Sequence, residues 1–291
     1  MLILTTAKEM QGACQELRAR GQHICLVPTM GALHEGHLSL VRAAHDGGNI
    51  VAVSIFVNPT QFAPNEDLEA YPRTIERDCS LLEAENVDLL FAPTVEEMYP
   101  AGASTFVDVE GVSQRLDGAS RPGHFRGVTT IVSKLFHIVS PERAYFGQKD
   151  AAQVAVLRKM VRDLNFNVEI VVCPIVRESD GLALSSRNVY LAPEQRHQAL
   201  VLSRALMHVK SLVSVGEWSA AKLLDEAAAV IASEPAVKVD YLAAVDPDTL
   251  ESVDGVRGGA LIAVAAWVGT TRLIDNLLVG YSSELGASSL P

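Results

Sequence analysis

The spacing of apolar positions divides the chain into two textures. Up to residue 174, short continuous apolar runs alternate with segments in which apolar residues return every three or four positions. The runs at 23–27, 49–57, 87–91, 143–146 and 168–173 have the unbroken character of strands buried on both faces, as in a parallel sheet. The periodic segments predict helices. One covers 4–20, capped by Thr5 or Thr6, with Met10, Cys14 and Leu17 on one face. A second is opened by His37, with Leu38, Val41 and Ala44 inward. Others cover 74–85, with Ile75, Cys79 and Leu82 inward, then 127–139, with Val128, Ile131, Leu135 and Ile138 at helical spacing, and 153–163. Residues 105–109 predict a further strand at an edge. Alternation of strand and helix implies an α/β fold with a doubly wound parallel sheet, its crossovers right-handed.

Beyond Pro174 the texture changes. Residues 177–188 are polar, and helices are predicted at 193–213 and 219–233. The segment 237–245 alternates like a strand, with Val237, Val239 and Tyr241 on one face, and 260–267 and 271–278 are suited to pair with it. This half reads as a smaller C-terminal α+β lid domain with an antiparallel sheet. The expected organisation is a Rossmann-like α/β domain over 1–174, the lid over 175–281 and a disordered tail over 282–291.

Composition narrows the function classes. With 48% hydrophobic and 20% charged residues in 291, the chain is expected to be soluble and globular. A net charge of −11 argues against a nucleic-acid partner, though not against a local basic pocket. No apolar stretch is long enough and free enough of charge for a membrane span, and the first residues lack the pattern of a signal peptide. Cys14, Cys25, Cys79 and Cys173 are widely separated, which fits a reducing compartment. The expected location is the cytoplasm.

Candidate chemistry gathers after the predicted strands, where open α/β sheets bind ligands. In the stretch from Leu26 to Leu40, a strand, a Gly-rich turn and a helix start carry His34 and His37 around Gly36. A helix N-terminus offers backbone N–H groups, and imidazoles can donate to a polyphosphate, so the turn reads as a nucleotide phosphate site. Zinc lacks supporting ligands at a useful spacing, so no protein-held metal is expected, and two polar rings make poor core. The tetrapeptide Gly147-Gln148-Lys149-Asp150 could be an ordinary polar turn. Alternatively, Lys149 could neutralise phosphates, and Asp150 could accept from a ribose hydroxyl or help order a metal. Gln153 could bind a hydroxylated substrate. Leu184-Ser185-Ser186-Arg187 is either a solvated loop or a mobile clamp for a leaving pyrophosphate. Asn58 and Gln61 lie beside the His turn and suit substrate contact. Arg121, His124 and Arg126 form a further anion patch.

These segments together resemble one family, the pantoate–β-alanine ligases (pantothenate synthetases). The similarity rests on the stretch from Pro28 to His37, on Phe146 to Asp150 and on Asp180 to Asn188. Phe56 to Phe62, Arg121 to Val128 and Val239 to Leu242 extend it in order along most of the chain. The resemblance implies a homodimeric cytoplasmic enzyme of the H-x-G-H nucleotidyltransferase superfamily with a Rossmann-like domain. It implies that pantoate attacks the α-phosphorus of ATP, with Mg²⁺ present, and that β-alanine then converts the pantoyl adenylate to pantothenate and AMP. Carried over by position, Met30, Gly31, Ala32, Leu33, His34, Glu35, Gly36 and His37 would line ATP, with His37 the proton donor. Gly147, Gln148, Lys149, Asp150, Val176, Leu184, Ser185, Ser186 and Arg187 would complete that site. Gln61 and Gln153 would hold pantoate, Gln61 also meeting β-alanine. The chain departs from the common family pattern at Gln148, Ala152 and Thr60.

Three other readings compete. A nucleotidyltransferase for a phosphorylated substrate would share the His turn but not need Asn58–Phe62 together with Gln153. A class I aminoacyl-tRNA synthetase relative is disfavoured by the acidic balance and the lack of an anticodon-binding module. A non-catalytic nucleotide sensor would bind ATP without forming AMP.

Overall fold

The computed structural model describes residues 1–46, 49–64 and 66–280. The expected disordered tail lies outside the described residues. By its internal contacts the chain forms two compact units, one of Met1–Val176 with Leu184–Ser186, the other of Arg177–Ala183 with the residues from Arg187 onward.

The first unit is built on six parallel strands: β1 (Leu2–Leu4), β2 (Ile24–Thr29), β3 (Ile50–Ile55), β4 (Leu89–Phe91), β5 (Arg143–Gly147) and β6 (Glu169–Cys173). Their order is β1-β4-β3-β2-β5-β6, so the direction of winding reverses between β2 and β5. Helices α1 (Ala7–Ala19), α2 (Glu35–His45), α3 (Ile75–Ala84), α4 (Val95–Met98), α5 (Asp117–Ser120), α6 (His124–Val139) and α7 (Ala151–Asp163) connect the strands. Cys25, Val27, Val51, Val53 and Leu90 share a core with Leu40 and Val41 of α2 and Leu82 of α3. Strand periodicity turns Ile24, Leu26 and Ala52 to the opposite face, and α1 and α6 pack against β2. The doubly wound parallel sheet expected from the alternation is present.

Several local expectations change. β1 was not expected, because three apolar residues carry no periodicity; it pairs with β4 from Leu2↔Leu89 to Leu4↔Phe91, leaving Leu2 and Ile3 about half exposed. The strand expected at 105–109 does not form. Val107 instead receives a hydrogen bond from Thr129 Oγ1 at its carbonyl and gives its N–H to Thr130 Oγ1, so side chains of α6 occupy the groups a ladder would use. α2 starts at Glu35 rather than at His37, and α6 starts at His124, ahead of the expected Gly127. In α3 the inward face is Asp78 and Leu82, while Ile75 is 45% exposed.

The second unit holds an antiparallel sheet in the order β7 (Val237–Val245), β8 (Ala260–Val268) and β9 (Thr271–Val279), with α8 (Pro193–Ser214) and α9 (Ala220–Ile231) against it. Leu202, Leu206 and Leu223 join Ile262, Val264 and Leu273 in its core. The single face expected for Val237, Val239 and Tyr241 is broken. The β7–β8 register shifts at Asp240, a bulge that leaves Val239 46% exposed while Asp240 binds Arg272. The polar segment before α8 is tied down within this unit. Arg177 grips Asp275 through two bonds of 2.6 and 2.9 Å, and Arg196 pairs with Glu178 and Asp180. Among the described residues, no helix is long and apolar enough to cross a membrane.

Candidate active site

β2 and β5 are neighbours at the point where the winding reverses, and the loops after them diverge there, leaving room for a ligand. The loop after β2 carries the two histidines, and the loop after β5 carries Lys149.

After β2, Thr29 Oγ1 donates to the Ser54 carbonyl (2.8 Å) and accepts from the Gly31 N–H (3.2 Å). Gly31 (φ +81°) and Ala32 (φ +50°) are both left-handed. For Ala32 that conformation costs about 1–2 kcal/mol, which the surroundings must offset. The offset comes from Asp78, fully buried on α3, whose Oδ2 and Oδ1 accept the N–H groups of Ala32 and Leu33, each at 2.9 Å. Thr74 Oγ1 lies 3.2 Å from both carboxylate oxygens.

His34 is the N-cap of α2, a position usually held by Ser, Thr, Asp or Asn. Its Nδ1 accepts the Gly36 N–H (3.2 Å), and its own N–H donates to His37 Nδ1 (3.3 Å). The His37 and Leu38 N–H groups bond the His34 carbonyl. The helix start is therefore not an open row of N–H donors, as the sequence suggested. It presents two imidazoles instead, ring centroids 4.1 Å apart. Since both Nδ1 atoms accept, each neutral ring carries its proton on Nε2. Gly36 permits this, because a Cβ there would fall 2.9 Å from His34 Cε1. Burial first, then the unfavourable pairing with His34 and the Lys149 charge, hold His37 well below the usual histidine range, so the ring is neutral at pH 7.

The loop after β3 supplies Gln61, whose Nε2 lies 3.1 Å from Met30 Sδ and whose Oε1 accepts from Asn58 Nδ2 (3.1 Å). Asn58 is buried, with its amide engaged by Gln61, the Gly127 carbonyl, Thr60 and Tyr99. The Asn58 amide thus stands beside Gln61 and holds it through Nδ2. Gly127 admits this loop against α6, since a Cβ would meet the Thr60 carbonyl at 2.4 Å. The anion patch expected at Arg121, His124 and Arg126 is occupied internally. Arg121 pairs with Glu66 (2.6 and 2.7 Å) and donates to His124 Nε2 (3.0 Å), while His124 Nδ1 donates to the Gln61 carbonyl (2.8 Å). Burial and the Arg121 charge push His124 down to about 4. Arg126 stacks over Phe106.

After β5, Gly147 borders open space, and Lys149 Nζ lies 3.7 Å from Asp150 Oδ1. Gln148 follows Gly147 in a short 3-10 turn that ends at Asp150. Gln153, in the first turn of α7, has a half-buried amide without a hydrogen-bond partner among the described residues. The segment Leu184–Ser186 belongs to the same unit: the Leu184 N–H bonds the Val176 carbonyl (3.0 Å), its side chain borders Gly36, and Ser186 Oγ lies 3.3 Å from Tyr71 OH. Ser185 is partly exposed and Glu35 exposed. Arg187 belongs to the second unit.

The structure thus brings together Met30, His34, His37, Gln61, Lys149 and Leu184. Asp78, Thr74 and Gly127 were missed from sequence. A polar residue on the buried face of α3 was the available signal for Asp78.

The profile described as Pantoate-beta-alanine ligase matches residues 2–278. A pantothenate synthetase of Koribacter versatilis is 62% identical over 279 residues, 96% of each chain. A solved pantothenate synthetase of Thermus thermophilus is 49% identical, with a TM-score of 0.91 over 95% of this chain and 99% of that one. The Francisella tularensis pantoate-beta-alanine ligase, solved in complex with Beta-gamma ATP and Beta-alanine, is 33% identical, with a TM-score of 0.76 over 99% of this chain and 100% of that one. Fold, motif order and near-complete coverage agree, and the chain belongs to the pantoate–β-alanine ligase family.

Proposed function

We propose that the turn from Met30 to His37 binds the phosphates of ATP and that Gln61 and Gln153 hold pantoate beside them. The family condenses pantoate with β-alanine in two steps: pantoate and ATP give pantoyl adenylate and pyrophosphate, and the amine of β-alanine then displaces AMP. This chain is an AMP-forming ligase of that kind. The observation that carries the residue assignment is the pair of Nε2–H edges presented by His34 and His37 near the Lys149 charge.

The first step brings a carboxylate to a polyphosphate, so the main obstacle is repulsion between anions. It needs orientation and positive or hydrogen-bonding groups aimed at the developing charge, not a covalent nucleophile. Lys149 supplies charge, and the two imidazoles supply preorganised donors. A pantoate carboxylate has no proton to lose, so His37 serves as a hydrogen-bond donor rather than as a base. Gln61, held by Asn58, and the unpartnered amide of Gln153 offer donors and acceptors to the pantoate hydroxyls and carboxylate, and Gln61 also to β-alanine. Gly147, Gln148 and Asp150, with Val176 and Leu184 to Ser186, are assigned to the rest of the nucleotide. Arg187, next in the chain after Ser186, is assigned to the leaving pyrophosphate.

Mg²⁺ fits this donor set as an ion carried on phosphate. No three His, Cys, Asp or Glu side chains converge among the described residues, so the polyphosphate would provide most of its oxygens, with Asp150 the adjoining carboxylate. Bound there, it would neutralise charge on the leaving group. We also propose a cytoplasmic homodimer; all four cysteines are free thiols, as a reducing compartment requires.

The test is AMP and pyrophosphate release from ATP with each combination of pantoate and β-alanine. Pyrophosphate should require pantoate, and sustained AMP formation should require both. Equal turnover with a phosphate ester replacing pantoate, or ATP binding without AMP, would defeat the assignment.

A further inference from the structure

We propose that Asp78 is a positioning residue for adenylation: its buried carboxylate sets the shape of the turn that aims His34 and His37 at the nucleotide. The inference rests on the phosphate-binding role given to that turn. Asp78 lies on α3, well separated in sequence from the histidines, and it meets the turn only through the backbone N–H groups of Ala32 and Leu33.

Three observations carry it. The carboxylate receives the N–H groups of two successive residues, Ala32 and Leu33, one on each oxygen and both at 2.9 Å. In this turn, with Gly31 and Ala32 at positive φ, successive N–H groups converge on one carboxylate, as turn N–H groups elsewhere converge on a bound anion. Here the anion is part of the protein. These N–H groups are consequently not the ones offered to phosphate, and the turn is shaped before any ligand arrives. Second, Thr74 stands at the N-cap of α3, yet its hydroxyl makes no capping bond; it bonds both Asp78 oxygens instead. Third, Arg77, the preceding residue on α3, donates to the Leu33 carbonyl (3.2 Å), so the same helix holds the turn through both a donor and an acceptor. Leu33 leads directly into His34, whose N–H orients His37 through Nδ1. Rotation of the Ala32–Leu33 peptide would therefore be passed to both rings.

An amide cannot replace this carboxylate. In Asp78→Asn one oxygen becomes an NH₂ donor facing a backbone donor, so one of the two turn bonds is lost while side-chain volume is kept. Thr74→Val removes only the supporting hydroxyl. Both variants of the full chain, with His37→Ala as a separate control, would be assayed for pantoate-dependent pyrophosphate release, resolving kcat and each KM, alongside thermal melting. Asp78→Asn should lower kcat/KM for ATP about 100-fold, the loss typical of a misplaced preorganised donor, with Tm within about 4 °C of the parent. The KM for pantoate should stay within about twofold, because Gln61 and Gln153 are held by other elements. Thr74→Val should move kcat/KM for ATP in the same direction by about tenfold. A folded Asp78→Asn with parental ATP kinetics overturns the proposal, as does a loss spread equally over both substrates with a lowered Tm. If Asp78→Asn does not fold, Thr74→Val decides: unchanged ATP kinetics overturn it. An unaffected His37→Ala would instead remove the phosphate-binding role of the turn, a separate failure.

Discussion

At the scale of single residues, His37 shows how the same side chain acquires a definite role from its neighbours. Sequence places an imidazole at a helix start; the fold gives its Nδ1 to the His34 N–H, partly buries it and sets it near Lys149. The free ring is then neutral and donates from Nε2. In an NMR titration of the ligand-free chain, His37 should remain unprotonated until well below pH 6.5, because burial holds its pKa down. A non-hydrolysable ATP analogue should raise that midpoint, since phosphate favours the protonated form. A free-chain midpoint at or above 6.5 would show that the ring is not desolvated. Lys149→Ala should slow single-turnover adenylate formation about 100-fold, with a smaller effect on the reaction of preformed adenylate with β-alanine. Equal slowing of both steps would place Lys149 elsewhere in the mechanism. His34, His37, Lys149 and Gln61 were legible as candidates because their residue types stand out after apolar runs. Asp78 was not legible as a site residue, because a helical aspartate normally faces water and its two N–H partners are far away in sequence.

Among elements, strands with continuous apolar runs and helices with clear periodicity emerged close to their expected bounds. β8, expected at 260–267, ends one residue later, at Val268. Short or two-sided segments did not. β1 is stabilised by its ladder with β4, and the 105–109 segment is held by the hydroxyls of Thr129 and Thr130. The loop after β3 depends on a glycine remote in sequence: the Thr60–Gln61 backbone occupies the space where a residue-127 side chain would begin. Gly127→Ala should destabilise the chain by about 1–3 kcal/mol through overpacking. Because the displaced loop carries Gln61, the KM for pantoate should rise more than the KM for ATP. Steady-state kinetics with each substrate varied would check this; an increase confined to ATP would contradict the assigned role of Gln61.

For the whole molecule, the first unit contains a pH-sensitive support. His124 bridges Arg121 and the Gln61 carbonyl, and burial with the Arg121 charge pushes it down to about 4 from 6.5. A lowered pKa in the folded state means that the unfolded chain binds the proton more readily below pH 6.5. The contribution of His124 is fully present above that value and declines as pH falls toward 4. Between pH 7 and pH 5 it should remove on the order of 2 kcal/mol of unfolding free energy. His124→Asn, which keeps a donor for the Gln61 carbonyl, should show a flatter decline in denaturant titrations at the two pH values; an unchanged slope would mean that other groups control it. Local periodicity and residue type sufficed for the alternation of strands and helices, the antiparallel C-terminal sheet and the polar loops that follow the strands as candidate sites. Tertiary structure alone decided the strand order that brings the β2 and β5 loops together, the imidazole tautomers, and the burial of Asp78, Asn58 and His124 as supports. Those features depend on hydrogen-bond partners and desolvation across long separations in the chain, which no local pattern encodes.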